Sequence, residues 1–159
     1  MNVTKRLAAA FLVLALTATT GSLAAPTEQH PCCALTSSFG SSPVWAWSWG
    51  ASQSGSVVGG GKANFQDLSL TRNTDGQSPQ YLHALATGIH LPTLVLVDGS
   101  ANISLADVIV TSYATGGSTG GSKGGSTLDA LTENITFMFG TLRYTVDGVT
   151  TCVGSACPQ

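Results

Sequence analysis

Charge is what this chain has least of. Asp, Glu, Lys and Arg make up 9% of its 159 residues, where a typical soluble domain carries about a quarter. Two of the six basic residues, Lys5 and Arg6, stand at the N-terminus. A nucleic-acid binder needs clustered Lys and Arg to meet phosphates, so the composition argues against nucleic acid as a partner. After residue 25 no apolar run is long enough to cross a membrane as a helix. A soluble mature chain with no membrane partner is expected once the leader is removed. The aspartates Asp67, Asp75, Asp98, Asp107, Asp129 and Asp147 are scattered, and no carboxylate pair suggests glycoside hydrolysis. The cysteines lack the Cys-x2-Cys pairs of a structural zinc site.

What is present at the N-terminus points to export. Lys5 and Arg6 precede the apolar run 7–16, and small residues follow to Ala24-Ala25-Pro26. This is the order of a secretory signal peptide over residues 1–25, with cleavage near Ala24 or Ala25. About 134 residues would remain, one ordinary domain. The expected location is extracellular or periplasmic.

Four cysteines fit that compartment: Cys32 and Cys33 in an N-terminal segment, residues 26–44, and Cys152 and Cys157 in a tail, residues 149–159. An even count in an exported chain reads as two disulfides. Adjacent Cys32 and Cys33 are poorly placed to bond to each other. The expected pattern ties the N-terminal segment to the tail, in either of two connectivities. In the chain-entropy model each such long closure contributes on the order of several kcal/mol. A zinc site from His30, Cys32, Cys33, Cys152 and Cys157 is the weaker reading, and no metal or cofactor is expected.

Residues 45–148 read as a barrel domain made of strands. Trp45, Trp47 and Trp49 alternate and so share one face. They read as core or subunit contact rather than as a platform for a sugar or base. The run 94–97 is continuously apolar, as in a strand buried on both faces, and Asp98-Gly99 signals a turn. Residues 103–113 are rich in β-branched side chains. Ile135, Phe137 and Phe139 share a face of a further strand, Gly140-Thr141 interrupts it, and Leu142, Tyr144 and Val146 share a face of a last one. One short helix stands among them. Ser78 is positioned to N-cap it, with Pro79 at the first position. Leu82, Leu85 and Ala86 line its apolar face, and Gly88 closes it. The architecture is an antiparallel β-barrel or sandwich with one short α-helix.

Two stretches lack this periodicity. Gln53, Ser54, Gly55, Ser56, Val57, Val58, Gly59, Gly60 and Gly61 form a Gly/Ser loop. Residues 115–126 are nearly all Gly, Ser and Thr. Two Gly-x-Ser-x-Gly patterns, around Ser118 and Ser122, fall in that low-complexity stretch, without the strand-to-helix turn of a nucleophile elbow. Gly59–Lys62 resembles a phosphate loop, but Ala63 stands where Ser or Thr must bind the metal. His83 and His90 read as partly buried, hydrogen-bonded residues rather than as a base or a metal pair. Sequons at Asn102 and Asn134 lie within expected strands.

Several motifs, in order, resemble one family. They are Trp45-Ala46-Trp47-Ser48-Trp49-Gly50, Gly59-Gly60-Gly61-Lys62, Phe65-Gln66-Asp67-Leu68, Ser78-Pro79 and Ala86–Pro92. Downstream come Ala106–Tyr113, Thr115–Ser118, and Thr132–Val146 with Glu133, Ile135, Phe137 and Phe139. Together they resemble the Hcp family, the haemolysin-coregulated tube proteins of type VI secretion, from about Trp45 to Val146. The resemblance implies a β-barrel with one helix that assembles as hexameric rings stacked into a tube, and that carries secreted effectors. It implies a structural protein, not an enzyme, with the Gln53–Gly61 loop reaching a neighbouring subunit. Two features depart from the family pattern: the secretory signal, and a short, turn-rich Pro31–Gly40 where the family has an extended strand. A monomeric secreted binding module on the same barrel is the alternative function, and a small secreted hydrolase a further one.

Overall fold

The computed structural model describes residues 30–55, 62–117, 131–155 and 157. The proposed signal peptide, the Ser56–Gly61 part of the Gly/Ser loop and the serines of both Gly-x-Ser-x-Gly patterns lie outside them. Ten strands and one helix follow in chain order: β1 (Cys33–Ser37), β2 (Gly40–Val44), β3 (Ala46–Ser48), β4 (Ala51–Ser54), β5 (Lys62–Phe65), β6 (Leu68–Asn73), α1 (Ser78–Thr87), β7 (His90–Asp98), β8 (Ala101–Gly116), β9 (Thr132–Val146) and β10 (Val149–Gly154).

All strand pairs are antiparallel. The main sheet has the order β2-β1-β7-β8-β9-β6-β3, and β10 joins the far half of β9. The sheet curls back on itself because β2 and β3 are nearly one run. β2 pairs with β1, the chain bends at Trp45, and β3 pairs with β6. The Trp45 N–H donates to the Thr71 carbonyl at 2.8 Å, which carries the ladder around the bend. Strands that change partner at a bend are how a sheet turns a corner. The barrel expected from periodicity is therefore present.

The interior is aliphatic and aromatic. Leu35, Leu68, Leu70, Leu94, Leu96, Ile103, Leu105, Ile135 and Phe137 are among its fully buried side chains. Inward residues alternate along each strand until one level is reached, where three strands change face together. On β7 the inward residues are Leu91, then Leu94 and Leu96; on β8, Ile103 and Leu105, then Val108 and Val110. On β9 they are Ile135 and Phe137, then Leu142. The change falls at Thr93, Ala106 and Thr141, which are register partners across the three strands. Asp107, beside this line, has φ 55°, a conformation that Asp tolerates and that breaks the pleat alternation. Pro92 offers no N–H on the neighbouring strand. The line is a crease that lets long strands wrap the core.

Several expectations are corrected here. Gly140-Thr141 does not end a strand. β9 runs unbroken for 15 residues, and the two apolar sets that seemed to belong to separate strands lie on either side of the crease. The run 94–97 is not buried on both faces: Val95 is half-buried and Val97 is 42% exposed. Pro31–Gly40 is not merely turn-rich, because Cys33–Ser37 forms β1, and the tail from Val149 supplies β10. Residues read as flanking pieces thus belong to the main sheet. Gln53 and Ser54 are in β4, paired with β5, rather than in a loop.

The cysteine pairing also differs. Cys32 is bonded to Cys33, and Cys152 to Cys157. Cys33 lies on β1 and Cys152 on β10, four strand spacings apart in the sheet order. Among the described strands these two are not neighbours in the sheet. Sequence proximity cannot reveal this, because the barrel sets the two segments on different strands.

The helix begins one residue earlier than its sequence suggests. Gln77 is the boundary residue, and Ser78 and Pro79 are within the first turn. Ser78 Oγ accepts the Asp75 N–H at 2.9 Å, while Asp75 Oδ1 accepts the Gln77 N–H at 2.7 Å. The start is therefore an Asp75 turn. The buried face is Ser78, Tyr81 and Ala84, with Leu85 half-buried against the core; Leu82 is 49% exposed and Ala86 is exposed. The expected apolar face was wrong because the large buried residue is the tyrosine. Gly88 ends the helix as expected, at φ 67°.

Candidate functional site

The densest chemistry lies where α1 meets the barrel. The inward alternation of β6 runs Leu68, Leu70, Arg72, and that of β9 runs Glu133, Ile135, Phe137. Arg72 and Glu133 are direct cross-strand partners, and both side chains are fully buried. Arg72 Nε donates to Glu133 Oε1 at 2.6 Å. Its terminal nitrogens donate to both carboxylate oxygens of Asp75 at 3.0 Å, to Ser78 Oγ at 3.4 Å and to Ser42 Oγ. Tyr113 Oη donates to Glu133 Oε2 at 2.6 Å. The guanidinium carbon sits 4.9 Å from the centre of the Tyr81 ring, a cation–π contact. Tyr81 packs edge-on against Phe39 and Phe137, and its hydroxyl meets Ser37 Oγ at 2.8 Å.

One guanidinium thus ties together β2, β6, β9 and the start of α1. A buried charge is tolerated only when paired and hydrogen-bonded, and here the fork engages two carboxylates and two hydroxyls. The arrangement orients groups from four elements around one buried guanidinium. Alternation alone was the available signal. Extending Leu68-x-Leu70 and Ile135-x-Phe137 by one step each places Arg72 and Glu133 inward. Charged residues do not ordinarily occupy such positions, so Arg72 is not singled out by sequence reasoning.

Burial pushes the Tyr81 phenol up, against the opposing pull of the Ser37 bond and the Arg72 charge. Burial and the Glu133 carboxylate push Tyr113 up as well. A phenol whose folded pKa is raised holds its proton more tightly folded than unfolded. That contribution is complete below the unfolded value, about pH 10, and is lost as pH rises through the folded value. The urea midpoint is therefore expected to fall above about pH 10, and Tyr81→Phe to flatten that fall. An unchanged slope in the variant would contradict the assignment.

The other sequence candidates are dispersed. His90 Nδ1 lies 2.5 Å from Asp107 Oδ1 at the crease. Its side chain is 55% exposed and His83 is also exposed, which corrects the expectation that both are partly buried. Trp47 and Trp49 are half-buried against the core. Trp47 Nε1 donates to Asp98 Oδ2 at 2.8 Å, and Trp49 packs edge-on with Tyr144. Trp47 and Trp49 are thus held from within, whereas Trp45, at the bend, has its Nε1 buried without a hydrogen-bond partner among the described residues. Asn102 and Asn134 lie on β8 and β9 as expected.

Two surfaces remain without an internal role. The β4–β5 hairpin is a separate two-stranded sheet, and all of β4 is exposed. Exposed large apolar side chains include Leu82 and Ile89 at the helix, Val97 on β7, Met138 on β9 and Val149 on β10. Residues 37–146, spanning β2 to β9 with the helix and the hairpin, match the family described as the type VI secretion system effector, Hcp.

The chain belongs to the Hcp family.

It is 40% identical over 91 residues to the protein hcp1 of Pseudomonas aeruginosa, a match covering 52% of each chain. It thus spans about half the length of that curated relative. The fold is that of solved structures. A type VI secretion system effector from Yersinia pestis superposes with a TM-score of 0.64 at 19% identity, covering 77% of this chain and 99% of that one. Hcp1 from Salmonella typhimurium gives 0.61 at 20% identity, covering 76% and 90%. The family match begins at residue 37, the last residue of β1.

Proposed function

We propose that this protein is a structural subunit of the Hcp type, which assembles with copies of itself into a hexameric ring and stacks such rings into a tube. It acts outside the cytoplasm, carries secreted effectors rather than transforming a substrate, and requires no cofactor. The observation that carries this reading is the Hcp-family barrel presenting two surfaces that its own fold leaves uncovered. The first is the hairpin, a two-stranded sheet separate from the main one with β4 exposed along its length, a form suited to packing against a neighbouring subunit. The proposed subunit-contact segment, Gln53 to Gly61, starts within β4 and precedes β5. The second is the set of exposed apolar side chains on α1, β7 and β9. Single exposed apolar residues are ordinary, but in a ring a neighbour's edge would cover them. The half-buried, internally held Trp47 and Trp49 weaken the alternative of a monomeric glycan-binding module.

Light scattering after size exclusion tests this on the oxidised protein. A mass of six copies is expected, with stacked rings by electron microscopy at high concentration. Leu82→Asp is expected to shift the mass toward the monomer while leaving far-ultraviolet circular dichroism unchanged. A clean monomer of the unmodified protein at high concentration would sink the ring and favour a secreted binding domain.

A further inference from the structure

We propose that Cys32, Cys33 and Asp98 form, when the cysteines are reduced, a binding site for a thiophilic divalent cation of the zinc class. The two Sγ atoms and a carboxylate oxygen of Asp98 all lie within 4.8 Å of one another. The sheet register brings them together. Ala34 pairs with Val97, so the next step along the same ladder sets Cys33 beside Asp98. Cys32 sits on a bend just before β1, which frees its side chain from the strand alternation that would send it to the opposite face.

Three further observations fit a metal ligand set. Trp47 Nε1 donates to Asp98 Oδ2 and leaves the other oxygen available. A hydrogen bond of this kind is how a ligating carboxylate is ordinarily held in orientation. Both sulfurs face one carbonyl, with Cys32 Sγ 3.3 Å and Cys33 Sγ 3.8 Å from Val44 O, so they converge on the same space. Cys33 is buried, Asp98 half-buried and Cys32 exposed, which gives an ion an entry path on the Cys32 side. Two thiolates and one carboxylate supply three ligands of a tetrahedral set, and solvent supplies the fourth. Among the described residues, no third ligand of this kind joins Cys152 and Cys157.

In the structure the two sulfurs are bonded to each other, so the site is gated by oxidation state. A dithiol donor delivers two electrons and two protons to the Cys32–Cys33 bond and leaves as its own disulfide. Two thiols result. Binding the cation then releases both protons, because thiolate is the ligand form. Oxidation by the reverse exchange expels the ion. The inference does not depend on ring assembly.

The test uses the full chain carrying Cys152→Ser and Cys157→Ser, so that only one cysteine pair is present. The protein is reduced with a phosphine, freed of reductant without air, and titrated with cadmium ion alone. The thiolate-to-cadmium charge-transfer absorption should rise and saturate at one ion per chain, and the oxidised protein should give none. Cys32→Ser, at an exposed position, should remove the saturating band. Asp98→Asn, which still accepts the Trp47 N–H, should weaken cadmium binding by about tenfold. Circular dichroism checks that each variant is folded; should Cys32→Ser not fold, Asp98→Asn decides. Free thiols without a saturating band, or unchanged affinity in Asp98→Asn, would overturn the site.

Discussion

Arg72→Met should cost about 3–5 kcal/mol of folding stability, the usual loss when one partner of a buried ion pair is removed. Glu133 would then stand fully buried with its charge unmatched, keeping only the Tyr113 hydroxyl. Asp75, near the surface with its side chain 35% exposed, can turn to water and contributes less. Urea unfolding followed by circular dichroism measures the loss. The paired variant Arg72→Met with Glu133→Leu discriminates between two accounts. If the loss is uncompensated charge, the second substitution should restore a large part of it, because an apolar pair of similar volume needs no desolvation. If the guanidinium matters chiefly as the tie to Ser42, Asp75 and Ser78, the double variant should remain as weak as the single one. A loss under about 1 kcal/mol in Arg72→Met, as for an exposed pair, would refute the view of this group as the centre of the helix-to-barrel junction.

The second large effect is expected for Tyr81→Ala, at about 3–5 kcal/mol, the range for deleting a buried aromatic side chain. Tyr81 is fully buried and packs edge-on against Phe39 and Phe137, so its removal leaves a void between α1 and the sheet. It also strips the Ser37 bond and the ring beneath Arg72. The loss should be local in character. Hydrogen exchange should show α1 amides losing protection ahead of β8 and β9. Uniform loss across the barrel would instead mean that helix and sheet unfold as one unit. Tyr81 and Arg72 are in contact, so the double variant should lose less than the sum of the two single ones.

Much of this architecture was legible in the chain. The apolar sets Ile135, Phe137, Phe139 and Leu142, Tyr144, Val146 were grouped correctly by face. What the sequence concealed was that a single strand carries both sets, because a change of alternation looks the same whether a strand ends or crosses a crease. The Asp98-Gly99 turn was read correctly, since a two-residue connection joins Asp98 to Ala101. The helix was located by Pro79 and Gly88, yet its buried face was misassigned. Leu82, Leu85 and Ala86 form a reasonable apolar stripe, but the barrel mouth receives a long aromatic that reaches an arginine. Trp47 and Trp49, expected as core or subunit contact, lie half-buried against the core. The family was legible too, from several short motifs in order, none of them specific alone.

The sequence by itself determined the class of the fold, the position of the helix Ser78–Thr87, most of the described strands and membership of the Hcp family. These follow from local periodicity, turn chemistry and short ordered motifs, which depend on residues close together in the chain. Tertiary structure alone decided which cysteines lie together, which strands flank the helix, and that Arg72 and Glu133 face inward as a pair. Each of those is set by strand register between segments far apart in sequence. Arg72 and Glu133 are separated by 61 positions, and only the β6–β9 ladder brings them to one level. A buried charge is tolerable only where such a partner arrives, so no property of either residue alone could announce it.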